Sequence, residues 1–130
     1  MCVSYRTLLG IVHLRILPWY TVTMKLGLII QSHTPERVWN TFRLGITALS
    51  KGHSVRIFLI SEGSELETIA DTDHFDLSVK VREFKEQGGE ILACGTCLKL
   101  RGKEGTETCP LSTMTDLLEI IETSDKVLVF

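Results

Sequence analysis

The chain has 130 residues, 44% of them hydrophobic, which is enough for one domain with a core and too few for two of ordinary size. A formal net charge of -2 and a pI near 6.1 argue against a sequence-independent hold on nucleic acid, which needs several phosphates neutralised by Lys and Arg. Cys2 stands alone near the start, while Cys94, Cys97 and Cys109 fall within sixteen residues, a clustering unlike a spread-out disulfide framework.

Residues 1–23 contain no Asp or Glu, and their apolar run from Leu8 to Trp19 is interrupted by His13, Arg15 and Pro18. That run is too short and too polar to span a bilayer. Arg15 inside it, and the lack of a small-residue cleavage site before Met24, argue against a signal peptide. Met24 reads as an initiator followed directly by a strand, so residues 1–23 are expected to be an extension outside the domain, with 24–130 forming it. A cytoplasmic location is expected, without a membrane partner.

From Lys25 onward, short apolar runs alternate with longer amphipathic ones, the pattern of strands joined by crossover helices into a parallel sheet. Leu26 to Ile30 is the first strand. Thr34, Pro35 and Glu36 supply an N-cap, a first-turn proline and an acidic first turn. Val38, Phe42, Gly45, Ile46 and Leu49 then share one helical face, and Gly52 stops the helix. Val55 to Ile60 is apolar and β-branched or aromatic, which suits a strand covered on both faces. Ser61 to His74 reads as a polar loop with a short helix. Leu77, Val81 and Phe84 mark the next helix, which ends at Gly88 and Gly89. Ile91 to Ala93 makes a third strand, with Cys94 at or just past its carboxyl end. Met114, Leu117, Leu118 and Ile121 mark a last helix opened by Thr113 and Asp116 in capping-box spacing, and Val127 to Phe130 is a final strand.

In open parallel sheets functional groups collect beyond the carboxyl ends of the strands, where Cys94 and His33 both map. The spacing Cys94-x-x-Cys97 lets one sulfur attack while the other resolves the product. Burial as small hydrophobes is the competing use of such cysteines, but these three stand among Gly, Thr, Lys and Arg. Lowering a thiol pKa to about 7 takes on the order of 2 kcal/mol. A helix N-terminus gives only about 0.3 to 1 kcal/mol. Arg101, seven residues past Cys94, and the neighbouring Lys99 and Lys103 are candidates for the remainder. His33 is a candidate proton donor.

Three cysteines with one histidine would suit zinc, yet no second Cys or His pair follows at ligand spacing, and His33 or His74 would have to come from other loops. Asp71, Asp73 and Asp76 lack the Gly and Glu of a calcium loop and read as a solvated, helix-capping surface. No Gly-rich phosphate loop follows the first strand, and no cofactor is expected.

The Thr34-Pro35-Glu36 opening, the Gly52-His53-Ser54-Val55 turn into an apolar strand, and Cys94 followed by Arg101-Gly102 together resemble the DsrE/DsrF/TusD-like group of small α/β proteins associated with sulfur relay. The likeness covers nearly the whole chain after Met24. It implies a three-layer sandwich, a small, mostly parallel sheet flanked by helices with a DsrE-like, flavodoxin-like topology. It also implies a persulfide carried on Cys94 and self-association as a homotrimer or hexamer, with sulfur-donor and sulfur-acceptor proteins as further partners. Cys97 and Cys109 exceed what a one-cysteine carrier needs. Two other readings therefore stand beside sulfur transfer: a thiol-disulfide oxidoreductase using Cys94 and Cys97, and an oligomeric module whose cysteines bind metal or pack.

Overall fold

The computed structural model describes residues 22–130; Cys2 and almost all of the 1–23 extension lie outside the described residues. Five strands form one sheet: β1 (Lys25–Ile30), β2 (Ser54–Leu59), β3 (Glu90–Cys94), β4 (Leu111–Ser112) and β5 (Lys126–Val129). Every pairing is parallel, in the order β4-β3-β2-β1-β5. The connections carry α1 (Pro35–Ser50), a 3-10 helix (Ser61–Thr68), α2 (Leu77–Glu86), α3 (Gly95–Leu100) and α4 (Met114–Thr123).

Crossovers between parallel strands are right-handed. The steps from β1 to β3 run in one direction and put α1 and α2 on one face, whereas α4 travels back across the sheet to β5 and covers the other. The result is the three-layer α/β sandwich. Its order reverses between β1 and β5, unlike a flavodoxin sheet, which reverses between the first and third strands.

Side chains alternate faces along each strand, so two cores form. Leu26, Leu28 and Ile30 of β1, Val55, Ile57 and Leu59 of β2, and Ile91 and Ala93 of β3 join Val38, Phe42 and Phe84 under α1 and α2. Phe42 and Phe84 meet edge to face with ring centroids 5.4 Å apart. On the opposite face Phe58 and Cys94 pack with Ile120 of α4. There α4 crosses β1 so closely that a Cβ on Gly27 would stand 2.9 Å from the Ile120 side chain.

The helix boundaries follow local chemistry. Pro35 occupies the first turn of α1, though the Thr34 side chain makes no capping bond; the Ser32 hydroxyl accepts from the Thr34 amide instead. Gly52, at φ +86°, ends α1 in the left-handed conformation that glycine adopts without a Cβ penalty. Thr113 and Asp116 form the reciprocal capping box of α4. Of the acidic loop, Asp71 caps α2, accepting from the Ser78 amide and hydroxyl, and these bonds hold its carboxyl below its ordinary pKa; Asp76, at the N-cap position, makes no capping bond and accepts from the Trp39 indole at 2.7 Å instead. No helix among the described residues is long and apolar enough to cross a membrane.

Candidate functional site

Cys94 ends β3 opposite Ser112 of β4 and is 2% exposed. Because Ala93 points into the α1 and α2 core, period-two alternation turns Cys94 toward α4. It borders a cleft of about 340 Å³ whose wall includes Gly95, Thr96, Lys99, Ser112, Met114 and Asp116. Cys94 is also the N-cap position of α3, and its side chain makes no capping bond there.

Cys97 lies three residues on, half-buried, against the same cluster. Positions three apart on a helix are neighbours, so Cys97 sits beside Cys94 in that cluster. From the other side the Ser61 amide donates to Cys97 Sγ at 3.2 Å. Burial pushes the Cys97 thiol pKa up, and Cys94 adds to that; the Ser61 amide and the Arg101 charge pull the other way without prevailing. Desolvation disfavours the charged form of a thiol, so Cys97 keeps its proton near neutral pH.

Cys109 is elsewhere. It packs with the α1 and α2 core, and burial, with Glu67 adding and Lys85 and Lys103 opposing, pushes its pKa up to about 12. The three cysteines among the described residues are free thiols, and of these only Cys94 and Cys97 share a cluster. Among the described residues no group of three His, Cys, Asp or Glu side chains is placed to hold a metal ion.

Arg101 was expected on the Cys94 face, seven residues along a helix. The helix is only six residues long and Arg101 is its C-cap, so the side chain turns back. Its guanidinium donates to the Cys97 carbonyl at 3.2 Å and lies 3.7 Å from the Glu65 carboxylate, tying α3 to the 3-10 helix. His33 follows β1, and its Nδ1 stands 2.8 Å from Glu62 of that 3-10 helix. The first residues of the 3-10 helix therefore bridge the two ends of the site, with Ser61 on Cys97 and Glu62 on His33.

Ser61 was not singled out by the sequence. It is the non-glycine residue with positive φ among the described residues, at 55°. The only local hint was a polar Ser-Glu-Gly following an apolar strand. A larger cleft of about 590 Å³ lies between the 3-10 helix and α2, lined by Leu66, Glu67, Val81 and Lys85 among others. No cysteine lines it, whereas Cys94 lines the smaller cleft.

Residues 24–130 match the DsrE/DsrF-like family. An uncharacterized protein of Methanopyrus kandleri is 37% identical over 100 residues, covering 73% of this chain and 83% of the relative. An uncharacterized protein of Methanocaldococcus jannaschii is 31% identical over 103 residues, covering 73% and 88%. With its all-parallel sheet, its flanking helices and a match over the whole of 24–130, the chain belongs to the DsrE/DsrF-like family, which is associated with sulfur relay.

Proposed function

We propose that this protein is a sulfur carrier that accepts sulfane sulfur on Cys94. The observation that carries the reading is the position of Cys94 at the carboxyl end of β3, on the wall of a cleft shared with Lys99 and the start of α4. In the accepting step the Cys94 thiolate attacks the outer sulfur of a donor persulfide; the Cys94 S–S bond forms, the donor S–S bond breaks, and the donor leaves as its thiolate. Lys99 lends positive charge to the mouth of the cleft, while His33, held by Glu62, and Arg101, held by Glu65, flank the 3-10 turn. Cys109 supports the loop before β4 from within the core.

A second reading, thiol-disulfide exchange through Cys94 and Cys97, is supported by the packing of Cys97 into the cluster that holds Cys94. The two are separated by mixing the reduced chain with a small-molecule persulfide, alkylating at once, and locating the added mass by fragment-ion mapping. One extra sulfur on Cys94 is expected. Absence of any sulfur adduct in Cys97→Ser, which cannot close the disulfide, alongside a Cys94–Cys97 disulfide in the wild type favours the exchange reading.

We also propose self-association. Leu111, Met114, Leu118 and Ile121 are each about half exposed, and the last three recur on the outer face of α4 beside the Cys94 cleft. Contiguous rows of exposed apolar side chains mark protein–protein contacts when they exceed what a monomer ordinarily leaves uncovered. A second copy is the occupant that the family resemblance supports.

A further inference from the structure

We propose that Cys97 is the resolving thiol of this site and that the Ser61 turn is the element that holds it in position. The inference rests on the reading of Cys94 as sulfur acceptor. Once Cys94 carries a persulfide, the Cys97 sulfur attacks the inner sulfur. The Cys94 to Cys97 S–S bond forms as the bond to the outer sulfur breaks. The Cys97 thiol proton leaves with the outer sulfur, so that Cys94–S–SH and Cys97–SH become a Cys94–Cys97 disulfide and hydrogen sulfide. The sulfane sulfur is reduced and the two thiols are oxidised. A low-molecular-weight thiol then returns the disulfide to the dithiol through a mixed disulfide.

Three observations converge on this assignment. A cysteine used as core filler is occupied by apolar contacts, but Cys97 is half-buried and receives the Ser61 amide at 3.2 Å. The donor is held in a costly conformation: Ser61 adopts φ 55°, in the left-handed region that side chains avoid, and such outliers concentrate where surrounding structure enforces them for a purpose. Here the enforcement is visible. The Ser64 hydroxyl donates to the Ser61 carbonyl at 2.7 Å, the Gly63 amide donates to the Ile60 carbonyl at 3.0 Å, and Gly63 lies against the Ile30 carbonyl with no room for a Cβ. The third observation is the shared cluster: Cys97 packs beside Cys94 on the α4 side of the sheet, while Cys109 is in the other core.

The surroundings also fit the proton transfer. The charged group acting on Cys97 is Arg101, itself paired with Glu65; the thiolate form of Cys97 makes the attack, and the proton it gives up goes to the departing sulfur. An acceptor thiol that enters the cleft attacks the outer sulfur instead and leaves Cys94 reduced with no disulfide. Cys97 therefore decides the fate of the persulfide when no acceptor is docked.

The test loads the reduced full chain and its Cys97→Ser variant briefly with sodium tetrasulfide, removes the reagent, and follows both without added thiol by alkylation, intact mass and sulfide release. Cys97→Ser is expected to keep its one-sulfur adduct until dithiothreitol is added. The wild type is expected to lose the adduct, release one sulfide per chain, and gain a Cys94–Cys97 disulfide. Ser61→Val, which keeps both thiols, should load normally and discharge about ten-fold more slowly, the effect of losing one positioning hydrogen bond. Equal persistence of the adduct in wild type and Cys97→Ser overturns the resolving role and leaves Cys94 as acceptor. A disulfide to Cys109 also overturns it. Absence of adduct, sulfide and disulfide in every form overturns the acceptor reading and this inference with it.

Discussion

The amide of Ser61 and the sulfur of Cys97 are 3.2 Å apart, a bond between the turn that ends β2 and the helix that follows β3. It joins two consecutive crossovers at the carboxyl edge of the sheet, where parallel-sheet proteins place their reactive groups. Ser61 holds this position at φ 55°, so its backbone should respond to substitution more than its exposed side chain would suggest. Ser61→Gly keeps the amide and removes the Cβ conflict, and should leave the melting temperature unchanged or higher. Ser61→Val, β-branched in a left-handed conformation, should lower stability by about 1 to 3 kcal/mol. Thermal melting of the two variants checks this; equal melting temperatures would mean that the turn is unstrained.

Arg101 acts on Cys97 through its charge and through the bond to the Cys97 carbonyl. Arg101→Ala should therefore raise the Cys97 pKa further and slow its alkylation near neutral pH, with the difference shrinking as alkaline pH ionises the thiol in both forms. Loss of the partly exposed pair with Glu65 should cost only about 0.2 to 1 kcal/mol. Rates of Cys97 alkylation across pH, read by mass spectrometry, decide it. An offset that stays constant at high pH would point to altered access and not to charge.

Cys109 gives the fold an alkaline limit. Its thiol is pushed up to about 12 in the folded chain, against about 8.5 for a free thiol. The folded state thus holds the proton to higher pH than the unfolded state. The corresponding stability is fully present below about pH 8.5 and is lost as pH rises toward about 12, by no more than about 1.4 kcal/mol per unit. Cys109→Ala should be less stable at neutral pH from the cavity it leaves, yet show a shallower fall in melting temperature across that alkaline window. Parallel falls in the two proteins would contradict the assignment.

The features legible in the sequence were those set by short-range periodicity. Leu26, Leu28 and Ile30 alternate as a buried strand must, Val38 and Phe42 share a helical face, and Thr113 with Asp116 announces a capping box that is present. Two-residue β4 escaped because Leu111 and Ser112 have no room for a pattern. The site was half legible. Placing Cys94 at a strand end required only the run Ile91 to Ala93, but assigning Cys109 to the opposite core depends on the path of the loop before β4. Arg101 was projected along a helix that stops one residue before it. Ser61 carries its role in a backbone dihedral, which residue identity does not announce unless glycine is present.

The outer face of α4 offers a test of assembly. Met114, Leu118 and Ile121 are exposed on one side while Ile120 is buried on the other, so the helix is apolar on two faces, and a helix so patterned normally has partners on both. The wild type should be oligomeric at micromolar concentration by light scattering. Leu118→Glu should shift it toward monomer with little change in the monomer's circular dichroism, because the side chain contributes little to the core. A monomeric wild type would remove the support for self-association.

The central claim is that Cys94 receives the sulfur, and its most direct measurement is sulfur uptake by single-cysteine variants from a small-molecule persulfide, trapped by immediate alkylation and read by intact mass. Cys94→Ser should take up no sulfur, while Cys97→Ser and Cys109→Ser should each take up one atom per chain. Uptake by Cys94→Ser equal to that of the wild type would contradict the account.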